Sequence, residues 1–121
     1  MHRATAHFVH ELASDIQRLS FEYFLKEANP ENGLIADRIA QARIAAVGLA
    51  LSSYPVGVEH GFIPAPPPAG RTLATLRFFW NAQHGPEHDA TGYMGLYYHF
   101  RDMETGRRVW NCDSDECCEF L

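Results

Sequence analysis

The chain has 121 residues, of which 46% are hydrophobic, and it contains eight Phe residues. This length and composition predict one folded domain with an apolar core and exclude a disordered chain. The net charge is -5 and the ten basic residues are scattered, which argues against a nucleic-acid partner because phosphate contacts need clustered Lys and Arg.

The start of the chain and its apolar stretches bear on its compartment. The first residues contain no apolar segment of the kind that a signal peptide needs. The longest apolar stretch, Ile44 to Leu51, is too short to cross a bilayer, so we expect no membrane span and a cytoplasmic chain as written. The three Cys residues fall within the last ten positions, where they predict no disulfide framework.

The first predicted element is an amphipathic helix from Phe8 to Lys26. Its apolar residues recur at spacings of three and four, and charged residues occupy the other side. The segment from Asn29 to Gly33 ends the helix, because Pro30 disfavours helical backbone at the residue before it and Asn-Gly is a strong turn signal.

The second predicted helix, roughly Ala42 to Glu59, is apolar on every face between Ile44 and Leu51. Such a helix is normally buried on all sides, and we expect Pro55 to kink it or to end its regular part. Two amphipathic neighbours cannot enclose it, so the pattern predicts further packing partners that the chain does not contain.

A third helix is predicted from Ala69 to Asn81, after a proline-rich extended run. A polar loop follows as far as Thr91. The glycine-punctuated aromatic stretch from Gly92 to Phe100 then predicts a β-hairpin or an extended loop, with a turn near Asp102 to Arg108. The predicted fold class is therefore mainly α, with three helices and a C-terminal aromatic loop or hairpin.

Five groups of residues follow one another in an informative order. They are Phe21 to Phe24 with Ala28 to Leu34 and Asp37-Arg38, Val47 to Leu51, Tyr54 to Glu59 with Gly61 to Ile63, Arg71 to Trp80, and Tyr97 to Phe100 with Glu104 to Arg107. In this order they resemble bacterial glucoamylase-like proteins over about Leu19 to Cys112, although no single motif is decisive.

The resemblance implies a six-hairpin (α/α) toroid several times longer than this chain, so residues 1–121 would form one partial domain. It also implies hydrolysis or transglycosylation of a glucan, with β-1,2-glucan among the candidates, by two carboxyl groups that flank the scissile bond. A glucan or oligosaccharide is then the partner, and no cofactor is implied. Intact relatives can be exported.

The resemblance stops after Cys112. Residues 113–121 diverge, and Cys118 falls where the inner-helix acid of the family would stand. We therefore expect a truncated chain that is inactive alone, and we name no catalytic residue in it. Natural truncation and a frameshift are both compatible with this pattern.

Five residues form the predicted sugar-binding set. Asp37 and Arg38 are either a pair that hydrogen-bonds sugar hydroxyls, which the resemblance favours, or a local ion pair that caps the second helix. Tyr98, His99 and Phe100 are either a stacking platform for sugar rings or part of the core. Strand alternation places Tyr98 and Phe100 on one face and His99 on the other, so we expect about half of the aromatic residues to contact sugar.

Two further hypotheses concern metal ions and a role without catalysis. His84 and His88 are four residues apart, but Gly85-Pro86 breaks any helix that would align them, so no metal site is predicted. The alternative to an enzyme fragment is a small helical binding protein that self-associates through exposed apolar helix faces.

Overall fold

The computed structural model describes residues 2–37, 41–63 and 69–109. In chain order its elements are helix α1 (His2–Lys26), strand β1 (Gln41–Arg43), helix α2 (Ile44–Glu59), helix α3 (Ala69–Trp80) and strands β2 (Gly92–Tyr93), β3 (Leu96–Tyr97) and β4 (Phe100–Asp102). β1 pairs with β4 and β2 pairs with β3, and both pairs are antiparallel. The predicted mainly α class with three helices is therefore confirmed.

The starts of two helices differ from the predicted ones. α1 begins at His2 rather than Phe8, because the residues before Phe8 permit a helix but carry no apolar repeat that would reveal it. α2 begins at Ile44 because the three residues before it pair with β4. Pro55 lies inside α2, which continues to Glu59, so the proline does not end this helix.

α1 and α2 pack against each other around one phenylalanine. The Phe21 ring is 4% exposed and meets the Tyr54 ring edge-on, with the ring centroids 6.5 Å apart. Gly57 of α2 lies so close to this ring that a Cβ atom there would overlap it. Glycine lowers helix propensity, but at this position it permits the close approach of the two helices.

The core lies where the segment after α1 folds back against the helices. Its buried hydrophobic residues are Phe21, Leu34, Ile35, Ala42, Val47, Ala50, Tyr54 and Ile63. The preceding turn closes through Gly33, which has a φ of 72° and donates its N–H to the Asn29 carbonyl at 2.8 Å. The side-chain amides of Asn29 and Asn32 donate to the Met103 carbonyl at 2.9 and 3.0 Å, which fixes this turn to the loop after β4.

Much of the apolar surface of α1 and α2 is exposed. Every residue from 3 to 20 in α1 is exposed, and Leu49 of α2 is 62% exposed. The expectation that α2 is buried on all sides is therefore not met within the described ranges, because the elements packed against it cover only part of its surface. This exposure agrees with the predicted need for further packing partners.

Among the residues described, no helix combines the length and hydrophobicity that a membrane span needs.

Candidate functional site

The β1–β4 pair brings two distant segments of the chain to one end of the helices. Gln41 pairs with Asp102, and Arg43 pairs with Phe100. Just beyond the pair, the Ile44 N–H donates to the His99 carbonyl at 3.0 Å. The loop after α1, the start of α2 and the aromatic segment therefore meet, and their side chains become neighbours.

An ion pair and two aromatic rings lie together beside this strand pair. Arg43 Nε and Asp37 Oδ2 are 2.9 Å apart, in an ion pair whose N–H is not aligned for a hydrogen bond. The Arg43 guanidinium lies 5.0 Å from the centroid of the Phe100 ring, which is within cation–π range. The His99 ring meets Phe100 edge-on, with centroids 4.4 Å apart. We call Asp37, Arg43, His99 and Phe100 the ionic–aromatic cluster.

The cluster is open to solvent at its charged end. The side chains of Arg43 and Asp37 are 39% and 28% exposed, so a solute in water can reach both. His99 Nδ1 is buried and makes no hydrogen bond to any residue in the described ranges. The cluster therefore offers a donor, an acceptor and an apolar ring within one small surface.

Three of the five predicted sugar-binding residues lie in this cluster. They are Asp37, His99 and Phe100, whereas Arg38 lies outside the described residues. Arg43 was missed from the sequence because it stands alone before an apolar helix, and only the β1–β4 register places it against Phe100.

Tyr98 lies apart from the cluster, in the framework that supports the aromatic segment. It is 6% exposed, its hydroxyl donates to the Gly85 carbonyl at 3.4 Å, and the Arg108 guanidinium lies 4.5 Å from its ring centroid. β3 ends at Tyr97 and β4 begins at Phe100, so Tyr98 is outside both strands and the predicted strand alternation does not apply to it. Its burial makes it an unsuitable open platform.

Arg101 is a fully buried cation that was not among the predicted site residues. Its guanidinium lies between the Phe79 and Tyr97 rings, 5.1 Å from each centroid, and it donates twice to the Tyr98 carbonyl at 3.1 and 2.9 Å. Burial lowers the pKa of Arg101 to about 10, so the group stays charged at neutral pH. Arg101 thus holds the residues that precede the cluster in place.

No described carboxyl group has the setting of a glycosidase acid. A general acid of this kind needs burial that raises its pKa, and no Asp or Glu in the described ranges is buried. Hydrogen bonds from the Thr105 backbone and hydroxyl, both 2.8 Å, lower the pKa of Asp102, which is the opposite direction. Within the described ranges, no two carboxyl groups therefore form a catalytic pair of this kind.

The two histidines considered for metal binding have other contacts. The His84 ring packs edge-on against Tyr97 with centroids 5.0 Å apart, and His88 Nδ1 is 3.0 Å from Arg108 Nη2. Across the part of the chain that the structure describes, no three His, Cys, Asp or Glu side chains are placed to hold a metal ion.

The fold and site together define a mainly α protein whose ionic and aromatic side chains gather at one end of its helices. This architecture is similar to a crystal structure described as a "putative glucoamylase" from Bacteroides uniformis, with a TM-score of 0.68 and 26% sequence identity. The match covers 90% of this chain and 26% of that chain. The chain thus has a mainly α, glucoamylase-like fold, and it spans about a quarter of that structure's length.

The sequence comparisons add no narrower assignment. No family model matches the sequence, and no curated protein matches it.

Proposed function

We propose that this chain is the part of a glucoamylase-like, carbohydrate-active protein that contacts a glucan through the ionic–aromatic cluster. The observation that carries the proposal is the position of Arg43, which lies between the Asp37 carboxylate and the Phe100 ring. The structural likeness to a glucoamylase-like protein supports carbohydrate as the class of ligand.

The chemistry of the cluster suits a sugar better than an ion. A sugar hydroxyl both donates and accepts hydrogen bonds, so it can donate one to the Asp37 carboxylate and accept one from the Arg43 guanidinium. The C–H face of a pyranose ring can pack on Phe100. The carboxylate and the guanidinium neutralise each other, which removes the net charge that would select an ionic ligand.

We further propose that the chain alone does not cleave glucan, whereas the whole protein hydrolyses or transglycosylates one, with β-1,2-glucan among the candidates. The absence of a buried carboxyl group among the described residues supports this proposal, because a pair of carboxyl groups in differing environments is required. Both catalytic carboxyl groups would then be supplied by other parts of a glucoamylase-like protein.

The binding proposal predicts a specific loss in the Arg43→Ala variant. We expect isothermal titration with β-1,2-gluco-oligosaccharides and with malto-oligosaccharides to show binding of at least one, weakened about tenfold in this variant. Arg18→Ala is the matched control, because Arg18 is an exposed arginine ion-paired at 2.9 Å to Glu22 on α1. Equal affinity of Arg43→Ala and the wild type for the bound sugar would contradict the role of the cluster.

Self-association is the second proposed function, and the exposed face of α1 favours it. Val9, Leu12, Ile16 and Leu19 recur at spacings of three and four and are between 49% and 57% exposed. An α-helix in water gains most of its stability from packing an apolar face, so this face needs a partner. A second copy of the chain offers the same repeat of β-branched residues and Leu that two-stranded coiled coils use.

Analytical ultracentrifugation over a range of concentrations tests this second proposal. We expect a monomer–dimer equilibrium that Leu12→Glu shifts to monomer, because a buried charge at the seam is costly. Gln17→Glu is the control on the polar side of α1, and it should leave the equilibrium unchanged. A wild-type chain that stays monomeric at every concentration would exclude self-association.

A further inference from the structure

A second cleft lies beside the turn that follows β4. It has a volume of about 530 Å³ and is lined by the turn after α1, by α3, by the loop before β2 and by the turn after β4. The residues that this inference uses are Glu31, Arg77, Asn81, Gln83, Asp89 and Arg107. We propose that this cleft is a second binding subsite for a neutral saccharide, distinct from the ionic–aromatic cluster.

One of the residues that line the cleft packs closely against a glycine. Phe78 lines the cleft, and the ring of Phe78 lies against Gly106 so closely that a Cβ atom at position 106 would overlap the ring. Gly106 also has a φ of 68°, which favours glycine. A ring fixed in this way presents an apolar surface on which a sugar ring can pack.

Several polar side chains in the cleft have unused hydrogen-bonding capacity. The guanidinium of Arg77, the amides of Asn81 and Gln83 and the carboxylate of Glu31 form no hydrogen bond or ion pair with other described residues. Each amide supplies both donors and an acceptor, which matches the dual character of a sugar hydroxyl. A volume of this size is also in the range of small-molecule sites.

The charges of the lining favour a neutral ligand over an acidic one. Arg107 Nη1 is 3.7 Å from Asp89 Oδ2, so this pair is neutral overall. Arg77 and Glu31 then leave one positive and one negative charge on the lining. An anionic sugar would gain one attraction and meet one repulsion, whereas the hydroxyls of a neutral sugar can use both groups.

The geometry of β4 connects the two subsites. The strand begins at Phe100 in the ionic–aromatic cluster, and the turn that follows it carries Thr105 and Arg107 into the cleft. The two subsites are thus linked through one short segment, and we expect one glucan chain to contact both. To this extent the inference rests on the proposed function, because it deepens the same interaction with a second point of contact.

Two-dimensional NMR of the backbone amides separates the two subsites. With a linear β-1,2-gluco-oligosaccharide and a malto-oligosaccharide as probes, we expect saturable shifts at residues 83, 91 and 105 in addition to those at residues 43 and 100. The double variant Asn81→Ala, Gln83→Ala should weaken the affinity obtained from the shifts at residues 83, 91 and 105 about tenfold. It should leave the shifts at residues 43 and 100 in place. Arg43→Ala should weaken the affinity obtained from the shifts at residues 43 and 100 and leave those at residues 83, 91 and 105 in place. Gln17→Ala, which removes a side-chain amide from α1, is the control.

The possible results distinguish this inference from the proposed function. Shifts at residues 43 and 100 without any at 83, 91 and 105 would overturn the cleft as a subsite and leave the proposed function standing. Shifts confined to the cleft residues would support the cleft and contradict the cluster. An oligogalacturonide that binds the cleft more tightly than both neutral probes would overturn its assignment to a neutral saccharide.

Discussion

Replacement of Arg101 by Ala is expected to lower the free energy of unfolding by about 3 kcal/mol. The side chain is fully buried between two aromatic rings and donates two hydrogen bonds to the Tyr98 carbonyl. Alanine would leave a cavity between Phe79 and Tyr97 and would remove both hydrogen bonds from Arg101 to the Tyr98 carbonyl. Urea denaturation followed by circular dichroism measures the loss, with the slope of the transition as a check on two-state behaviour.

Arg101→Met separates the packing of this side chain from its charge. Methionine fills much of the same space without the desolvation penalty of a buried guanidinium, and one guanidinium atom of Arg101, Nη1, makes no hydrogen bond in the described ranges. We therefore expect Arg101→Met to lower the free energy of unfolding by less than half as much as Arg101→Ala does. Equal losses would show that the hydrogen bonds to Tyr98, and not the packing between the rings, dominate.

Gly33→Ala is expected to cost about 3 kcal/mol in the free energy of unfolding, for two separable reasons. The residue has a φ of 72°, where an L side chain is strained. In addition, a Cβ atom at this position would overlap the Thr75 side chain of α3, which is 1% exposed and cannot move aside easily. The turn and α3 would have to separate, which would disturb the buried Leu34 next to it.

Gly61→Ala is the matched control for this substitution. Gly61 has a nearly identical φ of 70°, but no atom lies within 4 Å of the Cβ position. It should therefore show the backbone cost alone, about 1 kcal/mol. In a double-mutant cycle, Thr75→Ala should reduce the loss of unfolding free energy that Gly33→Ala causes and bring it closer to the loss caused by Gly61→Ala. Equal destabilisation by Gly33→Ala and Gly61→Ala would contradict the steric contact with Thr75.

The helices were predictable because their signals are local. Repeats of apolar residues at spacings of three and four mark α1 from Phe8 onward, and the turn signals from Asn29 to Gly33 mark the segment that follows its end at Lys26. β1 was not predicted, because a strand of three residues has no periodicity of its own. It exists through its pairing with β4, and Gln41 meets Asp102 only after the whole chain has folded.

The site was predictable to the same limited extent. Asp37, His99 and Phe100 belong to segments that carry the family resemblance, and the structure brings them together. Arg43 and Arg101 carry no such signal, since an arginine beside an apolar stretch normally points into solvent. The position of Arg43 depends on Phe100 and that of Arg101 on Phe79, and both of these rings are far away in sequence.

Affinity electrophoresis combined with a reducing-end assay tests the central claim most directly. The purified chain is run in native gels that contain β-1,2-glucan or starch, and the same mixtures are assayed for new reducing ends. We predict that at least one glucan retards the chain, that Arg43→Ala reduces the retardation while Arg18→Ala does not, and that no reducing ends appear. Unchanged mobility in both glucans, or turnover of either by the chain alone, would contradict the account.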